Sequence, residues 1–287
     1  MFPLHDDNPT RITPYVTIAL IVACALVFLW QISLDGYGQQ HAVFALGAIP
    51  AVLFDMAHLP AELVLVPAWA TAFTSMFMHG GWMHVIGNML YLWIFGNNVE
   101  DAMGHVRFTV FYLVCGLLAL VAHAAPNAAS QVPLIGASGA VSGVLGAYLL
   151  LYPHARVLVV IPLGFYLTSM RVRAVWVLGG WFVLQLINSA MVGTSGGGVA
   201  WSAHVGGFLA GAVLIPFFKH RDVKLFAPAR IRVRDGKIEE DDRNCTHDRD
   251  RFPFFGATRT RQRRLRGRGR RRGGGTRGDS ISRGRAS

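Results

Sequence analysis

Two side chains with complementary chemistry stand in separate apolar stretches of this chain. Gly136-Ala137-Ser138-Gly139 opens one stretch, and Ala203-His204-Val205-Gly206-Gly207 lies in another. A hydroxyl within hydrogen-bond reach of an imidazole is a nucleophile with its general base. Ionisable groups inside lipid-spanning sequence are costly, and their usual reason for being there is function. The bland alternatives are a serine satisfied by its own i−4 carbonyl and a histidine that merely packs. A third element is His79-Gly80-Gly81-Trp82-Met83-His84-Val85-Ile86-Gly87-Asn88. His84 and Asn88 are spaced i, i+4 and share one helical face, where two neutral donors suit a developing oxyanion. The backbone N–H of Ser138, at a helix N-terminus, adds a third donor. His79, His84 and His204 would also suit zinc. No carboxylate or fourth ligand accompanies them, however, and Ser138 would have no role, so neither metal nor cofactor is expected. No Asp or Glu shares the helix of His204, which makes the expected arrangement a dyad.

The elements that must position these groups are membrane helices. Hydrophobic residues make up 53% of the 287 and charged ones 15%, where soluble domains carry about a quarter charged residues. Charge is also unevenly divided. Residues 1–218 hold five arginines (Arg11, Arg107, Arg156, Arg171, Arg173) against seven acids, and the other 22 of the 27 basic residues follow, against nine acids. The body is a nearly charge-free membrane domain, expected over 1–222, and 223–287 is a basic tail. Cys24, Cys115 and Cys245 have no paired spacing and suggest neither a disulfide framework nor a metal site. The acidic start, His5-Asp6-Asp7, lacks a basic signal-peptide region, so the first apolar run reads as a retained transmembrane helix.

A span needs about 20 mostly apolar residues. Six are predicted, over 14–32, 80–96, 106–124, 137–152, 174–192 and 201–218. Every arginine of the body falls in one set of loops, and the alternate loops 33–66, 125–136 and 193–200 contain no Lys or Arg. The positive-inside rule then places both termini in the cytoplasm. Loop 33–66, apolar and broken by Pro50 and Pro60, reads as short interfacial helices. The stretch 157–169 reads as a cytoplasmic-side interfacial segment. Glu100 and Asp101 are expected to cap a helix end or to pair with Arg107.

The fourth span is the informative one. At 1.5 Å per residue it falls short of the roughly 30 Å hydrocarbon core, so Ser138 would stop below the outer surface at the bottom of a wet cavity. Gly139, Gly143 and Gly146 make this helix slim, and Ala203, Gly207 and Gly211 do the same for the sixth. Small residues at four-residue spacing let helix backbones approach closely, and close approach is the condition for a Ser138–His204 pair.

These motifs, in this order, resemble the rhomboid family of intramembrane serine proteases over about residues 12–218. The resemblance implies an all-α membrane protein, a six-helix bundle with interfacial helices in its first loop. It implies Ser138 as nucleophile and His204 as base, with His84, Asn88 and the Ser138 amide as oxyanion hole. Gly136 and Gly139 would flank the nucleophile, His79 would support the first loop, and Glu100 would hold the cytoplasmic end of the second helix. Substrates would be single-pass membrane proteins in the bilayer, and a bacterial inner membrane is the expected location. Two departures stand out: Trp69 is followed by Ala70-Thr71 where some members carry Trp-Arg, and Ser142 replaces an aromatic that in some members stacks on the histidine. A non-catalytic client binder, or a channel or transporter, are the competing readings; inactive relatives usually lack the Ser or His, and the body lacks the intramembrane charges of a transporter.

The Arg/Gly-rich tail cannot form a packed core and is expected to be disordered. Its chemistry suits anionic lipid or nucleic acid.

Overall fold

The computed structural model describes residues 2–163, 166–192 and 199–228. The expected disorder of 229–287, with its Arg/Gly run and Cys245, lies outside the described residues. Cys24 and Cys115 are free thiols buried in the core.

Strand β1 (Phe2–Asp6) precedes helix α1 (Tyr15–Ser33). Nothing in its own sequence caps α1, so its free amides draw on a distant carboxylate. Glu100 accepts from Val16 N at 3.0 Å, Thr17 N at 2.8 Å and Thr17 Oγ1 at 2.7 Å, and its other neighbour is His105 Nδ1 at 2.6 Å. Asp101 accepts from the amides of Arg11 and Ile12. The expected pairing with Arg107 does not form: that guanidinium reaches the carbonyl of Phe218 instead. In a fully buried setting the carboxylate is held by donors that water cannot replace, at the positive end of a helix.

The first loop folds as short helices, α2 (Gly36–Leu46), α3 (Pro50–Leu53) and α4 (Ala68–Thr74). Trp69 is largely exposed. Thr74 Oγ1 donates to the Leu46 carbonyl at 2.6 Å, tying α4 to α2. Helix α5 (Trp82–Tyr91) passes through a π-helical turn at Leu92–Gly96 into α6 (Asn97–Met103). Gly104, at φ +78°, turns the chain into α7 (His105–Ala124). Then come α8 (Ser138–Leu151), α9 (Ala174–Val192) and α10 (Trp201–Phe218). Among the described residues four helices are long and apolar enough to cross a membrane: α1, α7 with the turn that follows it, α9 and α10. A further candidate is bent by 81° between 61–77 and 82–103, and α8 is a shorter apolar helix.

The all-α expectation fails at one end of the bundle. The stretch that contains 157–169 is a hairpin of β2 (Arg156–Leu163) and β3 (Tyr166–Arg173). Strand β1 pairs antiparallel with β2, from Phe2↔Val160 to Asp6↔Val157, giving a three-stranded sheet in the order β1-β2-β3. The run Val157-Leu158-Val159-Val160-Ile161 suits a pleated surface, with Val157 and Val159 fully buried on one side of it. Beneath the sheet, Asp6 accepts from Tyr148 Oη at 2.6 Å and Asn98 Nδ2 at 2.9 Å, and Asn98 accepts from Asn8 Nδ2 at 2.7 Å. Burial pushes the Asp6 carboxyl up to about 6, against the opposing pull of the Tyr148 hydrogen bond. Arg171 pairs with Asp7 at 2.8 Å on the outside.

Residues 223–228, expected to belong to the tail, fold back onto the bundle instead. The amides of Phe226 and Ala227 donate to the carbonyls of Leu150 and Leu151, capping the end of α8.

Candidate active site

Helices α8 and α10 meet along their glycines. A Cβ on Gly211 would come 1.8 Å from the Gly143 carbonyl oxygen, and one on Gly146 would come 2.1 Å from that of Phe208. Backbone therefore lies on backbone, as the four-residue spacing predicts. Ser138 is the first residue of α8, and His204 lies in the first turn of α10. Both line one cavity of about 1120 Å³, together with His84 and Asn88. No hydrogen bond joins Ser138 to His204 among the described residues, a looseness common in unliganded sites.

The loop before Ser138 is held by backbone pairing with the first loop. Ala48 and Leu134 exchange hydrogen bonds, Ser130 O accepts from Ala51 N, and Gly136 N donates to Ser75 O at 2.8 Å. The loop residues from Val132 to Gly136 border the cavity, the kind of setting that non-helical backbone inside a membrane requires. Gly136 sits at φ +130°, and a Cβ there would lie 2.7 Å from His84 Nε2. Only glycine suits that conformation and that approach. Ser142 Oγ donates to the Ser138 carbonyl at 2.6 Å, so it turns back on its own helix.

Two potential donors converge on the cavity. Gly80 N donates to His84 Nδ1 at 3.3 Å, which assigns the ring proton to Nε2, beside Gly136. Asn88 Nδ2 is buried with no hydrogen-bond partner among the described residues. Such an orphan donor is expensive unless something else uses it. His79 does not line the cavity: its buried ring packs edge-on against that of His84, with centroids 5.1 Å apart. Its Nδ1 is 3.2 Å from the Phe77 carbonyl. Gln31 on α1, missed in the sequence reading, clamps the His79 backbone by accepting from its N–H at 2.9 Å and donating to its carbonyl at 3.3 Å. Among the described residues no three metal-ligating side chains cluster.

His204 has partners that the sequence reading also missed. Its Nδ1 lies 2.9 Å from Gln185 Oε1 on α9. Trp181 and Trp201 flank the ring at centroid distances of 6.0 and 6.1 Å, so aromatic contact reaches it from α9 and α10 rather than from position 142. A histidine–serine contact elsewhere, His123 Nδ1 to Ser202 Oγ at 2.7 Å, ties α7 to α10 beside the same cavity. A polar residue within an apolar helix was the available signal for Gln31, Gln185 and His123 alike.

Comparison with known proteins identifies the family. The family model for the rhomboid domain matches residues 66–221, more than half of the chain and all of α4 to α10. The chain belongs to the rhomboid family. It is 29% identical over 184 residues to Rhomboid protein 1, mitochondrial, of Saccharomyces cerevisiae, covering 61% of this chain and 50% of the yeast protein. It is 33% identical over 154 residues to Rhomboid protease GluP of Bacillus subtilis, covering 53% of this chain and 27% of that protein. With Rhomboid-like protein 11, chloroplastic, of Arabidopsis thaliana it shares 32% identity over 155 residues, 52% of each. The chain thus spans between 27% and 52% of these relatives' lengths. The rhomboid domain match contains Ser138, His204, His84, Asn88, His79 and Glu100, whereas β1 and α1 precede it.

Proposed function

We propose that this rhomboid is an intramembrane serine endopeptidase that cleaves single-pass membrane proteins in or near their transmembrane helix. The observation that carries the reading is the glycine seam of α8 and α10, which sets Ser138 and His204 on one cavity with the unpartnered amide of Asn88. In this mechanism His204 takes the Ser138 Oγ proton as the oxygen attacks the scissile carbonyl. The tetrahedral oxyanion accepts hydrogen bonds from His84 Nε2, Asn88 Nδ2 and the Ser138 N–H. Collapse of that intermediate breaks the C–N bond, and His204 passes the proton to the leaving amine. Water, deprotonated by His204, then releases the acyl group from Ser138.

The membrane setting is part of the proposal. Residues 1–222 form a six-span domain with both termini cytoplasmic, the bent pair and short α8 counting as two of the six. The substrate helix enters sideways past α9 and unwinds into the cavity. The location proposed is a bacterial inner membrane, and the sorting of arginines among the loops supports the orientation in it.

The test is cleavage of a single-pass reporter in liposomes by the intact chain, beside Ser138→Ala and His204→Ala. Cleavage by the wild type alone is the expected result. Cleavage by folded Ser138→Ala would remove the nucleophile assignment, and a folded wild type silent across several reporters would favour a client binder.

A further inference from the structure

We infer that Gln185 is a positioning residue for His204, the neutral third member of a Ser138–His204–Gln185 relay whose parts lie on three helices. The inference rests on the protease reading above.

The orientation follows from one fixed acceptor. Gln185 Nε2 lies 3.3 Å from the Trp181 carbonyl oxygen, which can only accept. The amide nitrogen must therefore point there, and Oε1 points to His204 Nδ1 at 2.9 Å. An oxygen at that distance can only accept from the ring, so Nδ1 carries the proton. Nε2 is left with its lone pair, the form a general base needs to receive the Ser138 proton. A side-chain amide in this place holds the tautomer without adding charge to an apolar setting, as a carboxylate would.

The surroundings of Gln185 single it out. It is 5% exposed, whereas its neighbours Leu184 and Leu186 are 57% and 43% exposed. Trp181, Gln185 and Ser189 recur every four residues on α9 and all line the cavity. Trp181 also flanks the His204 ring. Helix α9 thus supplies both the edge and the face that fix the imidazole, and α10 offers no acid to do so.

The experiment compares the intact wild type with Gln185→Leu, which removes the acceptor, and Gln185→Glu, which restores one. Three readouts are taken in the same detergent or liposome preparation: reporter cleavage, the rate at which a small fluorophosphonate labels Ser138, and the ¹⁵N spectrum of the His204 ring. Gln185→Leu is expected to lower both kcat and the labelling rate about tenfold to a hundredfold, with KM changed less than about twofold. Its ring nitrogens should report a mixture of tautomers where the wild type shows one, and Gln185→Glu should regain most of the labelling. Unchanged tautomer and kcat in Gln185→Leu, with an active wild type, would overturn the inference alone, as would equal loss in both variants. A folded wild type that neither cleaves nor is labelled would overturn the protease reading, and this inference with it.

Discussion

A Cβ on Gly207 would sit 2.1 Å from the carbonyl oxygen of Gly139, so α10 rests directly on α8 one residue beyond the serine. Gly207→Ala must therefore push the two backbones apart, and neither can yield by rotating a side chain. We expect a loss of about 1–3 kcal/mol together with loss of Ser138 labelling by a fluorophosphonate. Gly179→Ala is the control. It has open space within 4 Å and sits inside α9, so it should be neutral or gain up to about 1 kcal/mol. Thermal unfolding in detergent, with labelling at each step, separates the two.

Asn88→Ala should separate catalysis from folding. Its amide nitrogen has no partner to lose among the described residues, so thermal stability should hold or rise. Cleavage should nevertheless fall about a hundredfold to a thousandfold in kcat, the usual effect of deleting one oxyanion donor. A parallel loss of folding and activity would argue that Asn88 is structural.

The Asp6 carboxyl gives a pH dependence of unusual sign. Its folded value, about 6, stands above the ordinary 3.8, so the folded chain holds a proton that the unfolded chain has released. Stability from this group is then full below about 4 and is lost as pH rises through about 6. The loss totals about 3 kcal/mol. Asp6→Asn keeps an oxygen to accept from Tyr148 and Asn98 but cannot ionise. The difference in Tm between it and the wild type should grow from pH 5 to pH 7.5 in favour of the variant; a flat difference would refute the assignment.

Glu100→Ala would leave the amides of Val16 and Thr17 and the Thr17 hydroxyl without their acceptor in a fully buried place. A cost of about 3–5 kcal/mol is expected, with the start of α1 becoming the first site of hydrogen exchange. Glu100→Gln, which retains an acceptor oxygen, should lose clearly less.

What could be read from the sequence depended on whether the information was local. The four-residue glycine spacing of 139, 143, 207 and 211 states the helix contact outright, because only small residues permit it. Pro50 and Pro60 likewise announce short helices in the first loop. The sheet could not be read this way: Val157 to Ile161 is a continuous apolar run that periodicity does not distinguish from a membrane-surface segment. Its partner, Phe2–Asp6, is too short to signal a strand alone. For Glu100 the sequence offers a helix cap or a pairing with nearby Arg107; the cap forms, but on α1, whose amides are more than 80 positions away, and His105 rather than Arg107 is the near partner. Gln185 is a different case. An amide in an apolar helix was visible, as was Asn188 three positions on, but which of them meets His204, 19 positions from Gln185, could be known only from the packing of α9 on α10.

The strand at the start of the chain also sets an order of events in time. Asp6 finds Tyr148 across 142 positions, and Asp7 finds Arg171 across 164. Contacts so distant along the chain are the slowest to form, and synthesis delivers Phe2–Asp6 first and the hairpin long afterwards. The nascent N-terminal segment must wait, unpaired, until α1, α5 to α8 and then β2 have arrived. Closure of the sheet is thus a late knot tied around work already done, and its absence marks a bundle still unfinished.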